Sequence, residues 1–131
     1  MIGLDTNVLV RYIMQDDAKQ AKLASELMEA LTVDEPGFIP VVAIIELVWV
    51  LSLSFALVRN QVVQALEVLL QTKEVQVENA EVVWRAVRLY RASAADFADC
   101  LIERSAAAAG CVQTMSFDRG AVKNCAMTLL E

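Results

Sequence analysis

Asp5, Glu46, Asp99 and Asp118 each stand where an apolar segment gives way to polar sequence. Asp5 closes Met1-Ile2-Gly3-Leu4, and Glu46 is the only charged residue between Pro40 and Arg59. Asp99 lies in the opening turn of an alanine-rich segment, and Asp118 follows the run Val112 to Phe117. Carboxylates avoid apolar surroundings unless a cation or a hydrogen-bond donor compensates them. Brought together, these acids would present hard oxygen ligands of the kind that divalent cations such as Mg²⁺ select. That chemistry would make the protein an enzyme.

The rest of the composition narrows the alternatives. The chain of 131 residues contains no histidine, which excludes a Ser/His/Asp triad, a Cys–His pair, a histidine base and histidine metal ligation. Its cysteines, Cys100, Cys111 and Cys125, are odd in number and lack C-x-x-C spacing, so neither a disulfide framework nor a structural zinc site is expected. A reducing cytoplasm fits best. The net charge of −6 argues at first against a nucleic-acid partner, but four of the negative charges belong to the proposed cluster, where bound cations would offset them. Hydrophobic residues make up 57% of the sequence, so an association surface is expected beyond the core.

The elements that must position the acids alternate between strand and helix. Met1–Leu4 reads as a buried strand, followed by a brief helix over Asn7–Met14. A helix capped by Asp16 or Asp17 then carries Ala21, Leu23, Leu27, Met28 and Leu31 at helical spacing. After the turn Asp34-Glu35-Pro36-Gly37, Phe38-Ile39 is a short strand and Val42–Leu53 a mostly buried helix. Asn60 caps a helix over Gln61–Leu70, Lys73–Glu78 is a strand and Ala80–Ala92 a helix. Asp96–Ala109 is the next helix, ended by Gly110; Val112–Met115 and Met127–Leu130 are strands. No repeat or linker interrupts this, so residues 1–131 are read as one domain with a parallel sheet covered on both faces. Ligands in such sheets bind beyond the carboxyl ends of the strands, where Asp5 and Asp118 fall.

Val41–Val58 has the length of a short membrane span, but Glu46 lies inside it and Gly37-Phe38-Ile39-Pro40 before it suits a strand-to-helix turn, so no membrane insertion is expected. A basic leader region is also lacking at the start.

Each acid has a plainer role open to it. Asp5 or Thr6 can cap the first helix, Asp96 can cap a helix with Asp99 in its first turn, and Asp118 can cap a short helix over Arg119–Asn124. Glu46, mid-helix, has no capping role, which leaves an arginine salt bridge as its structural alternative.

Taken in order, four segments resemble the PIN-domain ribonucleases, and more narrowly the VapC-type toxins of bacterial toxin–antitoxin pairs. They are Ile2-Gly3-Leu4-Asp5-Thr6-Asn7-Val8-Leu9-Val10-Arg11, Ile45-Glu46-Leu47-Val48-Trp49-Val50-Leu51, Asp96-Phe97-Ala98-Asp99-Cys100-Leu101-Ile102 and Thr114-Met115-Ser116-Phe117-Asp118-Arg119. Serine stands at Ser116 where threonine is commoner, and the segment after Asp118 is short and carries Cys125. The resemblance implies a three-layer α/β/α fold around a parallel sheet of four to five short strands. It also implies a cytoplasmic endoribonuclease that uses Mg²⁺ or Mn²⁺ on Asp5, Glu46, Asp99 and Asp118, with Asp96 adding to the cluster or orienting water. Asn7 and Ser116 would steady the carboxylates. The expected partners are RNA, a cognate antitoxin and a second copy of the chain; the helices over Asp17–Leu31 and Gln61–Leu70 are the expected association surfaces.

Arg119, beside Asp118, is the best single candidate for a phosphate contact. Arg85, Arg88 and Arg91 recur on one helix and offer further contacts, with an Arg85–Glu81 pair on a solvated face as the alternative. Trp49, Phe55 and Trp84 offer stacking surfaces, although aromatics on apolar helical faces usually belong to the core. The rival from another class is a receiver-like phospho-acceptor module. It calls for paired acids after the first strand and a lysine after the last, where this chain has Asp5-Thr6-Asn7 and Arg119.

Overall fold

The computed structural model describes all residues, 1–131. Strands and helices alternate as the hydrophobic periodicity predicts, and the chain separates into two compact units, Met1–Ala80 and Glu81–Glu131.

The first unit holds β1 (Ile2–Gly3), α1 (Thr6–Met14), α2 (Ala18–Ala30), β2 (Gly37–Ile39), α3 (Val41–Leu53), α4 (Arg59–Gln71) and β3 (Val75–Val77). Its strands form a parallel sheet in the order β1-β2-β3, with Ile2 opposite Gly37 and Gly37 opposite Val75. Parallel neighbours require crossovers, and the helix pairs α1/α2 and α3/α4 supply them. Leu9, Ile39, Ile44, Leu47, Leu51 and Leu66 are wholly buried. Gly37 sits where a Cβ would approach Leu4 Cδ1 at 2.8 Å and Leu31 Cδ1 at 2.9 Å, so a side chain there would force both buried leucines to shift. Helix α3 opens after Pro40, which brings no side-chain cap. The carboxylate of Glu78, just past β3, supplies one by accepting from Val41 N at 2.8 Å. That contact ties the start of the helix bearing Glu46 to the end of the sheet.

The second unit holds most of α5 (Ala80–Ala92), then α6 (Phe97–Ala108), β4 (Met115–Ser116), α7 (Arg119–Cys125) and β5 (Thr128–Leu129). β4 and β5 pair in parallel, Met115 opposite Thr128. Tyr90 and Phe97 meet edge to face, their centroids 5.6 Å apart. Gly110 follows α6 at φ +98°, the left-handed conformation expected of a glycine that ends a helix. Cys100 and Cys125 are buried with their sulfurs 3.9 Å apart, and none of the three cysteines forms a disulfide. Burial pushes the Cys125 thiol up from its ordinary pKa, against a hydrogen bond with Cys100 that lowers it.

All five strands pair in parallel, in one three-stranded and one two-stranded group. Several local expectations are corrected. Ile2 is 44% exposed, so only Leu4 at the end of β1 is buried. Val112 is fully exposed, and β4 begins only at Met115. Asn60 lies inside α4; Val58 is the N-cap residue, and the Gln61 side chain accepts from its backbone N–H at 3.0 Å. No helix is long and apolar enough to cross a membrane.

Candidate active site

In the first unit the site is organised by Thr6, the one buried polar residue of the chain, 6% exposed. Its backbone N–H donates to Asp5 Oδ1 at 2.8 Å, so Asp5 is the N-cap of α1. Its hydroxyl donates to Glu46 Oε1 at 3.0 Å, across forty residues of sequence. One threonine therefore fixes one oxygen of each carboxylate and leaves the second oxygen of each without a protein partner. Glu46 itself is exposed on an open face of α3, in contrast with the buried setting read from the sequence. The salt bridge offered as its structural alternative is absent, because Thr6 is its partner. The Asn7 side chain makes no hydrogen bond to either acid and lies on a groove between α1 and α2.

In the second unit, Asp96 caps α6 by accepting from Ala98 N at 3.1 Å, and Asp118 caps α7 by accepting from Ala121 N at 3.1 Å. Ser116 Oγ accepts from Asp118 N at 2.9 Å and so fixes the backbone of that acid. A Cβ on Gly120 would stand 3.1 Å from Asp118 Oδ1, which makes this glycine the space beside the cap. Asp99 sits in the first turn of α6 with no hydrogen bond of its own. Partial burial, then the charges of Asp96 and Asp118, push its pKa above the ordinary 3.8. Two neighbouring carboxylates thus add to burial in resisting the ionisation of a third.

The capping roles open to Asp5, Asp96 and Asp118 are therefore real, and each engages a single carboxylate oxygen. None of Asp5, Glu46, Asp96, Asp99 or Asp118 pairs with a lysine or arginine. Exposed or half-buried carboxylates with spare oxygens and no basic partner are a donor set of the kind hard divalent cations take. Neither unit by itself gathers three acidic or thiol side chains into a metal-holding group.

The arginine row of α5 has mixed partners. Arg85 pairs with Glu81 at 2.8 Å, the alternative weighed from the sequence, and Arg88 lies over the Trp84 ring, 5.9 Å from its centroid. Trp49 departs from the core expectation: it is 64% exposed on the same face of α3 as Glu46. The sequence offered Thr6 only as an alternative cap of α1, a role that Asp5 takes, and gave no sign of Glu78 or Gly120.

The sequence matches the PIN domain family over residues 2–126, a span that takes in every acid described above. The chain belongs to the PIN domain family. It is also 28% identical, over 116 residues, to a VapC ribonuclease of Aquifex aeolicus (strain VF5), an alignment covering 88% of this chain and 86% of that protein. Membership accounts for the mixed α/β order with parallel strand pairing.

Proposed function

We propose that this PIN domain is a metal-dependent endoribonuclease, the toxin of a toxin–antitoxin pair, whose Asp5, Glu46, Asp99 and Asp118 together hold Mg²⁺ or Mn²⁺. The observation that carries the reading is the set of unpaired carboxylates, each with an uncommitted oxygen, in a chain without histidine. The ribonuclease named among its relatives supports RNA as the substrate. The receiver-like alternative gains nothing from the family assignment.

A divalent cation at such a site supplies a water nucleophilic at neutral pH and neutralises charge on the phosphoryl oxygens. The protein's part is positional. Thr6 orients Asp5 and Glu46, while Ser116 and the first turn of α7 orient Asp118. Asp96, with one oxygen free, orients water or joins the ligand set. Arg119 is exposed next to Asp118 without a carboxylate partner, and would bind a phosphate oxygen of the substrate. Asn7 would bear on Asp5 only through solvent or substrate.

For the partners, we keep the helices over Asp17–Leu31 and Gln61–Leu70, which expose Leu23 and Val68, as the association surfaces. α3 exposes Val42, Trp49 and Leu53, but Glu46 lies within that stripe and must stay open to RNA. The antitoxin contact falls to the largely apolar groove of about 270 Å³ between α1 and α2, lined by Val8, Leu23 and Leu27. An RNA-cleaving toxin with these partners acts in the cytoplasm.

Cleavage of a fluorophore–quencher RNA tests the reading. EDTA abolishes cleavage by nuclease-free protein, and Mn²⁺ or Mg²⁺ restores it. Undiminished cleavage in excess chelator contradicts the mechanism.

A further inference from the structure

Away from the carboxylates, three arginines from two helices of the second unit line one hollow of about 320 Å³: Arg85 and Arg88 of α5 and Arg104 of α6, with Leu89 beside them. Arg91, one turn further along α5, does not line it, and Arg104 replaces it. We propose that this hollow is a docking site for the phosphodiester backbone of the RNA, distinct from the point of cleavage; the proposal rests on the ribonuclease reading.

Charge carries the argument. The chain has 11 basic residues against 17 acidic ones, yet three of the basic residues converge here. Two are partly compensated: Arg85 Nη2 lies 2.8 Å from Glu81 Oε1, and Arg104 Nη1 lies 3.2 Å from Glu103 Oε1. The second contact is an ion pair by proximity without hydrogen-bond geometry, since the buried Glu103 Oε1 receives no hydrogen bond. Arg88 has no carboxylate partner. Its guanidinium lies over Trp84, a contact that orients the planar group and leaves its N–H edges available. The hollow is therefore locally positive in an acidic protein. Arginine forks suit phosphate oxygens bidentately, and water-exposed pairs such as Arg85–Glu81 contribute little and exchange readily.

The hollow also lies apart from the reacting groups. Arg104 is five residues beyond Asp99, a rise of about 7.5 Å along α6 and well round the helix from it. Arginines there act on a strand that extends past the cleavage point, which is a contribution to affinity and not to the chemical step.

The test measures binding of a fluorescently labelled 20-nucleotide single-stranded RNA to the Asp118→Asn protein, alone and with Arg88→Ala and Arg104→Ala added. Each phosphate contact on a single strand contributes about 0.7 to the slope of log Kd against log salt. The double substitution should lower that slope by about 1.4. Between 50 and 200 mM salt, the parent then weakens about 7-fold more than the variant. In the otherwise wild-type enzyme the same pair should raise KM and leave the single-turnover rate at saturating RNA unchanged. If Arg104→Ala unsettles Glu103, Arg88→Ala alone should show half the slope change on an intact fold. Equal Kd and slope in parent and variant overturn the docking site while the ribonuclease reading stands. A parent that binds no RNA at any salt overturns both. Displacement of the RNA by polyglutamate in preference to polyphosphate would assign the hollow to an acidic protein and overturn the proposal.

Discussion

Replacing Thr6 by valine isolates the role given to the one buried polar side chain. Valine keeps the shape and the branched Cβ, and the backbone N–H still donates to Asp5; only the hydroxyl that reaches Glu46 Oε1 at 3.0 Å is lost. A hydrogen bond to a charged acceptor contributes about 1.5–3 kcal/mol net. Glu46 is exposed and rehydrates when released, and the buried valine methyl needs no partner, so the stability change should stay below about 1 kcal/mol. For a chain of this size that is at most about 4 °C in Tm. Activity should respond more strongly, since groups that orient metal-ligating carboxylates typically affect affinity or rate 10–100-fold, about 1.4–2.7 kcal/mol. Thr6→Ser retains the hydroxyl and should restore most of the rate. The assays are thermal melting by circular dichroism and cleavage of a fluorogenic RNA at fixed Mn²⁺. Full activity in Thr6→Val, or equal losses in the valine and serine variants, would refute the positioning role.

Two further substitutions separate capping from metal binding and read the electrostatics of the site. Asn caps helices as well as Asp does, so Asp5→Asn should melt within a few degrees of the parent yet lose more than ~100-fold in rate; Asp5→Ala should also lose about 1 kcal/mol of stability. Comparable activity in Asp5→Asn and the parent would reduce Asp5 to a cap. Asp99 has its folded-state pKa raised by burial, Asp96 and Asp118, so its stabilising contribution is present below its unfolded pKa and lost as pH rises through the folded one. In EDTA at pH 7, Asp99→Asn should therefore raise Tm, and the gain should shrink as pH falls through the carboxylate range. A lower Tm for the variant at pH 7 contradicts the repulsion inferred among these acids.

Much of this was legible in the sequence. The long helices α3 and α5 show in the sequence, α3 as an almost unbroken apolar run after a strand and α5 through its apolar periodicity, and α5 has the boundaries expected. The acids were legible because each interrupts an apolar segment. What escaped notice depends on tertiary contact. The Thr6–Glu46 hydrogen bond joins residues forty apart, and Glu78 caps a helix from the end of the neighbouring strand. The true cap of α4 is Val58, because Gln61 reaches back to it; Asn60 offered a better capping side chain in the wrong place. Trp49 misled for another reason. An apolar helix looks buried throughout in sequence, but the fold leaves one face of α3 open. Arg104 joins the arginines of α5 only once α6 is packed beside them.

The central proposal is that Asp5, Glu46, Asp99 and Asp118 hold Mg²⁺ or Mn²⁺. Its most direct measurement is a Mn²⁺ titration by calorimetry of the wild-type protein and of Asp5→Asn, Glu46→Gln, Asp99→Asn and Asp118→Asn. Each substitution, whichever unit carries it, should weaken the same binding event, and cleavage should fall with it. A protein in which Asp5→Asn and Glu46→Gln leave the Mn²⁺ isotherm and the cleavage rate untouched, while Asp99→Asn and Asp118→Asn alter both, would contradict the four-carboxylate proposal.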